Sequence, residues 1–546
     1  MEHSLLHALA LAGLITAVGG PLLILGLLRP AERAWGIESE QDEFGRALGK
    51  GAARWVVCGA LLAAAATLLD LFVQVAELRG KTVFSGVDIA EIVRFATRAT
   101  VGRLSLARAG ALLLMAAATL VPGRHKWSVT GLLGCSAIVL TSLVSHAAAQ
   151  PVGRYAAIAV QVAHISGAAI WMGVLIQLLL ARGTIQRASS GTGVALVAEI
   201  VRRFSPVALI VVSLLVLSGV LAAWRYLGGV GALFTSAYGL TLLVKLALLT
   251  LALFAGLVNY RIIRPRLLAM DRSNADAVKL VLRRFGRMLE LEVTAGLLVI
   301  TVAGILASVS PPGQNGSLRL TERQTDAFLE PRLPAVRMVN PATFYGAAPR
   351  TVDDLHYSEF THHWSGVMVC LLGLCWLAQA GSGRAAEWGG RSWPFLLVPF
   401  AAFVVVASDP EVWWLRRISI GHALSDPQLL EHQLGGGMIL LLAWLGWRDR
   451  RRAGPERPLG YALPIIMVLG SLSLLGHAHS TLITDDALAN LINVQHAVFG
   501  AFGLIAGTVR WLGLRGLFPR QAARWLWPGL VIGLGLFMTF CYREVV

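Results

Sequence analysis

The sequence predicts an all-α fold, a polytopic membrane helix bundle of about fourteen transmembrane helices (eight, then six), each needing about 20 apolar residues. Three observations carry this. Apolar types make up 56% of the 546 residues and charged types only 14%, against about 25% charged in soluble domains. The mean hydropathy is +0.67. Long apolar runs recur from one end of the chain to the other. They are continuous rather than alternating, which excludes a β-barrel, and helix is the only state that satisfies a single run's backbone in lipid.

Taken in order, the first half holds runs at 5–28, 55–75, 104–121, 127–145, 156–180, 206–223, 240–258 and 293–309. The first lacks the basic flank of a cleavable leader and is long enough to span. Residues 83–100 read as an amphipathic helix on the outer surface. The interval 310–361 opens with Pro311-Pro312, carries no span, and is too long for an ordinary helix–helix connection. It reads as an external linker. Six runs follow at 364–378, 393–407, 429–447, 459–475, 492–512 and 525–541, the first two short. The expected domains are therefore 1–309, 310–361 and 362–546.

The net charge of +16 does not mark a nucleic-acid partner, because the basic residues sit in short loops and form no aromatic-interleaved patch. Alternate loops hold 29 of the 47 Lys and Arg. That bias makes those loops cytoplasmic and places both termini outside. Five cysteines without a CxxC pair give neither a disulfide framework nor a zinc knuckle. No phosphate-binding GxxxxGK[ST] loop is present, which argues against direct ATP drive.

Sidedness makes the thirteen histidines informative. Only His125 falls in a cytoplasmic loop. His3, His7, His146, His164, His356, His362, His363, His422, His432, His477, His479 and His496 lie in external loops or the outer parts of spans. An amphipathic ring can anchor at an interface, but anchoring would populate both faces. One-sided crowding favours a metal or haem site, neutral imidazole being the commonest metal ligand.

Two segments look alike. His146 ends one span and His164 follows on the next; His477 and His479 end another, and His496 follows. Adjacent antiparallel helices would bring each set to a similar depth. Glu359, His362 and His363, and Glu431 with His432, are further external donors. Asp70, Gln74 and Glu77 share a helical face near an external end, with Asp70 about 10 Å inside. A carboxylate there is a ligand or proton carrier, or else a structural partner of Arg103 or Arg108. Lys245 lies similarly deep and is either part of an ion pathway or that carboxylate's partner. Met1-Glu2-His3 matches an amino-terminal nitrogen plane suited to Cu(II) or Ni(II). Met172, Met368, Cys370 and Met438 offer soft donors or plain packing. Chemistry alone narrows the ion to a late first-row metal or haem.

These residues resemble the CopD/PcoD copper-resistance family of inner-membrane proteins. The first half is similar to its core through Ser145-His146-Ala147, the run from His164 to Gly173, Arg203-Phe204-Ser205, Leu217-Ser218-Gly219, Tyr238-Gly239, Lys245, Asn259, Glu292 and Pro311-Pro312. The second half resembles the extension of its longer members through His362-His363-Trp364-Ser365-Gly366, Ser408-Asp409-Pro410-Glu411, Leu424-Ser425-Asp426-Pro427, His477-Ala478-His479 and the segment 510–515. The chain departs from the family pattern at Met172-Gly173-Val174, where a Gly-Gly pair is usual after Trp, and at Glu431-His432-Gln433.

The resemblance implies a non-enzymatic protein of the bacterial cytoplasmic membrane that binds copper, and transports it or hands it over. It also implies a periplasmic copper-binding protein as partner, besides membrane lipid. It points to His146 and His164 in the core and to His363, His432, His477, His479 and His496 in the extension, with copper as Cu(I) or Cu(II). A haem-b electron-transfer subunit is the alternative, since facing histidines also hold haem. A metallochaperone or scaffold without transport is another.

Overall fold

The computed structural model describes residues 2–36, 43–79, 88–150, 152–187, 192–269, 274–313, 315–344, 351–423, 427–449, 458–476 and 486–545. Every regular element among them is helical. Thirteen helices are long and apolar enough to cross a membrane. In the first half these are α1 (His3–Ala34), α2 (Glu43–Ala76), α4 (Thr100–Leu120), α5 (Lys126–Leu143), α6 (Arg154–Leu180), α7 (Gly193–Leu227), α8 (Ala237–Ala269) and α9 (Asp276–Leu306). The surface helix α3 (Ile89–Arg98) precedes α4. After the connecting helix α10 (Glu322–Leu329) come α11 (Val352–Ala380), α12 (Gly383–Ser408), α13 (Leu429–Asp449), α15 (Ala487–Arg515) and α16 (Arg520–Cys541). Between α13 and α15 lies α14 (Ala462–Gly476), apolar but only 15 residues long. Each of the fourteen runs read from the sequence falls on one of these helices.

The helices outrun their apolar segments because caps and polar turns extend them. Asp88 accepts the Ala90 N–H at 2.9 Å to start α3, and Asn274 accepts the Ala277 N–H at 3.1 Å at the start of α9. Thr351 caps α11, with Asp353 and Asp354 in its first turn against the helix dipole. The segment expected to be linker up to residue 361 is therefore helical from Val352, and His356, Glu359, His362 and His363 all ride on α11.

Two spans loosen to π-helix, at Leu22–Leu28 in α1 and Asn259–Ile263 in α8. Each π segment ends two residues before a proline, Pro30 or Pro265. A proline ring removes one N–H and crowds the carbonyl four residues back, and the wider turn relieves that crowding.

The bundle closes where small residues let backbones touch. A Cβ on Gly19 of α1 would lie 2.2 Å from the Gly173 carbonyl oxygen of α6, and one on Gly173 would lie 2.5 Å from the Ile15 oxygen. The Met172 that departs from the family pattern fits because Gly296 of α9 leaves room; a Cβ there would meet the Met172 methyl at 2.2 Å. The two halves pack through Leu248, Val302 and Ile305 against Leu475, Ala497 and Leu504. At one end, Glu290 of α9 pairs with Arg182 at 3.0 Å and with Arg515 of α15 at 2.5 Å.

Call the face where α1 begins the upper face. Among the described histidines, His125 alone sits at the lower face, on the turn into α5. The others gather in the upper half, because they begin or end helices there.

Candidate metal centre

His3 and His7 are four apart on the first turns of α1, so their rings share one side of the helix. The antiparallel α2 brings Asp70 to the same level. His3 Nδ1 lies 2.7 Å from Asp70 Oδ1, and His7 Nδ1 lies 4.0 Å from that oxygen. The two rings meet edge to face at 4.3 Å. One ligand atom from each of the three residues lies within 4.8 Å of the other two. Gln74 Nε2 donates to Asp70 Oδ2 at 2.7 Å and fixes the carboxylate plane. His7 Nδ1–H donates to the His3 carbonyl at 3.2 Å, which leaves the Nε2 lone pair of that ring for another partner.

The Asp70 side chain is 5% exposed while the two rings are 21% and 25% exposed, so an ion can reach the imidazoles from the upper face. Behind the carboxylate stands Arg108 of α4, 6% exposed and in electrostatic range of Asp70. Its Nε has no hydrogen-bond partner. Of the partners expected for Asp70, Arg108 is thus a neighbour at a distance, whereas His3 and Gln74 are the direct contacts. Lys245 is on α8, makes no hydrogen bond or ion pair with any described residue, and acts instead on His164. The Glu77 side chain, His477 and His479 lie outside the described residues.

Metal–nitrogen and metal–oxygen bonds near 2.0–2.2 Å mean that an ion between His3 and Asp70 replaces the shared proton and opens that contact by about 1–1.5 Å. His3 is already turned to Asp70 within a helix, so its ring is not arranged for the amino-terminal nitrogen plane.

The paired histidines of the first half face different helices. His146 Nε2–H donates to the Ala307 carbonyl at the end of α9, 2.8 Å away. His164 Nδ1 lies 2.9 Å from Ser218 Oγ of α7. In the second half His362 and His496 do meet: their rings are edge to face at 5.4 Å, with Tyr542 stacked on His362 at 4.0 Å. Both rings are oriented alike, each Nδ1–H donating back at 2.9 Å to the carbonyl four residues earlier, Ser358 or Ile492.

His363 has another task. Its Nδ1 accepts the Ala335 N–H at 2.9 Å and its Nε2 donates to the Tyr542 carbonyl at 3.1 Å. Both nitrogens are engaged, and the ring ties the connecting segment to the chain after α16. Glu359 does similar work, accepting the N–H groups of Glu544 and Val545 at 2.7 and 2.9 Å.

His432 of α13 pairs with Asp409 at 2.8 Å, and Gln433 donates to the other carboxylate oxygen at 2.5 Å. Asp409 is fully buried. Burial pushes the nearby Glu411 carboxyl above its ordinary range, and the Asp409 charge adds to the rise. Asp409→Ala strands the donors of His432 and Gln433 and is expected to cost about 1–3 kcal/mol, read as a lower thermal unfolding temperature at unchanged expression.

Sequence reasoning passed over one polar group as no more than family pattern. Glu292 of α9 is 4% exposed. Trp171 Nε1–H of α6 donates to its Oε1 at 3.1 Å, and Asn259 Nδ2–H of α8 to its Oε2 at 2.9 Å. The available signal was an acidic residue opening the apolar run 293–309, next to a lone Asn closing 240–258.

Fold and site together define a polytopic helical membrane protein with an imidazole-rich face and an imidazole–carboxylate cluster on it. Two family models then match the amino-terminal half: the copper resistance protein D-like N-terminal domain over residues 3–154, and copper resistance protein D over 198–306. The chain belongs to the copper resistance protein D family and is a copper-related membrane protein. It is also similar to the copper transport protein CutJ of Bacillus subtilis (strain 168), 32% identical over 152 residues, which are 27% of this chain and 25% of that protein. The chain thus matches about a quarter of that relative's length. No solved structure matches it.

Proposed function

We propose that this protein captures copper ions at its upper face and moves them across the bacterial cytoplasmic membrane or hands them over there. The observation that carries the reading is the His3, His7 and Asp70 cluster, two imidazoles and a carboxylate within ligand distance of one another. Nitrogen and oxygen donors suit Cu(II) better than Cu(I), which selects thiolate and thioether. The basic loops assign the lower face to the cytoplasm, so the cluster faces the periplasm, where a copper-binding protein would deliver the ion. His362 with His496, and His164 beside Lys245, supply further imidazole stations for stepwise handover. Exposed apolar side chains such as Leu209 and Ile210 meet lipid.

The direct test is metal analysis and copper titration of the purified protein, followed by copper flux into proteoliposomes. Stoichiometric copper with flux supports transport; copper without flux supports handover alone. A red preparation with a Soret band and no copper would replace the reading with haem-based electron transfer.

A further inference from the structure

Glu292 is a carboxyl buried in the span with no cation to answer it. It lies about 21 Å from the upper end of α9 and about 24 Å from the lower end, at 1.5 Å per residue. No Lys or Arg among the described residues is within ion-pair distance of it. The ionisable groups on the helices packed around it point elsewhere or lie far off. His164 is seven residues from Trp171 on α6, about 10 Å along the axis. Lys245 is fourteen residues from Asn259 on α8, about 21 Å away. On α1 the histidines are at the upper end, and Arg510 of α15 stacks on Trp527 at 4.4 Å.

A charged carboxylate at this depth is costly, and two neutral N–H donors offset only part of that cost. Its protonated form needs one more acceptor, and the structure holds one. Asn259 Oδ1 is buried with no partner. Turning the Asn259 amide by half a revolution exchanges its NH2 for that oxygen. The same side chain can therefore donate to the carboxylate or accept from the acid.

The surroundings fit a group that changes state. Asn259 opens the π segment of α8, a geometry common at functional sites. Tyr260 and Arg261 next to it are exposed at the lower end, so a proton has a short way to water. Gly256 makes the room: a Cβ there would come within 2.9 Å of Glu292 Oε1.

We propose that Glu292 is the proton-exchanging group of the amino-terminal bundle, with Trp171 and Asn259 as its positioning residues. The carboxylic acid gives one proton to water at the lower face as a copper ion enters the bundle, leaving the carboxylate. It takes one proton back when the ion leaves, so the charge inside the membrane changes less than the ion alone would change it. The donors are nitrogen-bound hydrogens and the acceptor is a hard oxygen, which assigns the site to a proton rather than to a soft metal ion. The coupling to copper rests on the function proposed above; the protonation chemistry does not.

The test uses the full chain in lipid nanodiscs and proteoliposomes. In the wild type, copper addition bleaches a protonated-carboxyl C=O band in infrared difference spectra. Glu292→Gln binds the same number of copper ions, lacks the band, and loses flux by about 100-fold. Gly256→Ala, which presses on Oε1, shifts the band and guards against a Glu292→Gln variant that fails to fold. Wild-type flux in Glu292→Gln, or an unchanged band in both variants, overturns the proposal. A wild type that binds no copper overturns the function instead, and the Glu292 assignment then stands or falls on whether its band titrates with lower-face pH.

Discussion

Replacing His3 and His7 together by alanine is expected to weaken copper binding by about 100-fold or more, because losing even an outer-shell partner of a metal costs 10–100-fold. The fold should survive, since both rings are partly exposed and neither supports a helix contact beyond Asp70 and Gln74. Asp70→Asn separates charge from shape. It keeps the size of the side chain but leaves Arg108 without the only carboxylate shown acting on it, so affinity and stability should fall together, the latter by up to about 3–5 kcal/mol for a broken buried pair. His146→Ala with His164→Ala is expected to act on transport without removing this site, because those rings engage α9 and α7. Copper titration of the three proteins, with thermal unfolding alongside, checks each expectation. Full-affinity binding by His3→Ala/His7→Ala would remove the cluster from the mechanism.

Gly19→Val and Gly173→Val are each expected to destabilise the amino-terminal bundle by about 1–3 kcal/mol, the cost of overpacking a tight interface, and the pair together to prevent folding. Each new Cβ would fall within 2.5 Å of backbone, 2.2 Å from the Gly173 oxygen and 2.5 Å from the Ile15 oxygen, where no rotamer change relieves the clash. Spreading α1 from α6 also shifts α1 against α2, which it packs through Gly13 and Gly59, and so moves His3 relative to Asp70. Detergent-solubilised yield and monodispersity measure the effect. Alanine at both positions with native yield would show that the backbones have more room than the structure gives them.

The spans were legible because each is a long apolar run, and lipid leaves the backbone of such a run no state but helix. Helix ends were less so. His362 and His363 looked like the edge of a linker, yet Thr351 caps α11 ten residues before the apolar run starts, and polar first turns carry no hydropathy signal. The candidate site was half legible. His3, His7 and Asp70 each stood out as polar groups in apolar surroundings, but they were sorted into different roles, since nothing in a linear pattern reports a contact between residues 67 positions apart.

From the sequence alone came the helical class, the order of the spans, the sidedness and the gathering of imidazoles on one face, all of which follow from hydropathy, charge and the alternation of a chain that crosses and returns. Only the tertiary structure decided which imidazoles share a partner: it joined His3 and His7 to Asp70, tied His363 to the backbone, and set Glu292 between Trp171 and Asn259. Those choices depend on helix rotation and close approach, fixed by side-chain packing at glycines such as Gly19 and Gly173, and a rotation about a helix axis leaves hydropathy unchanged.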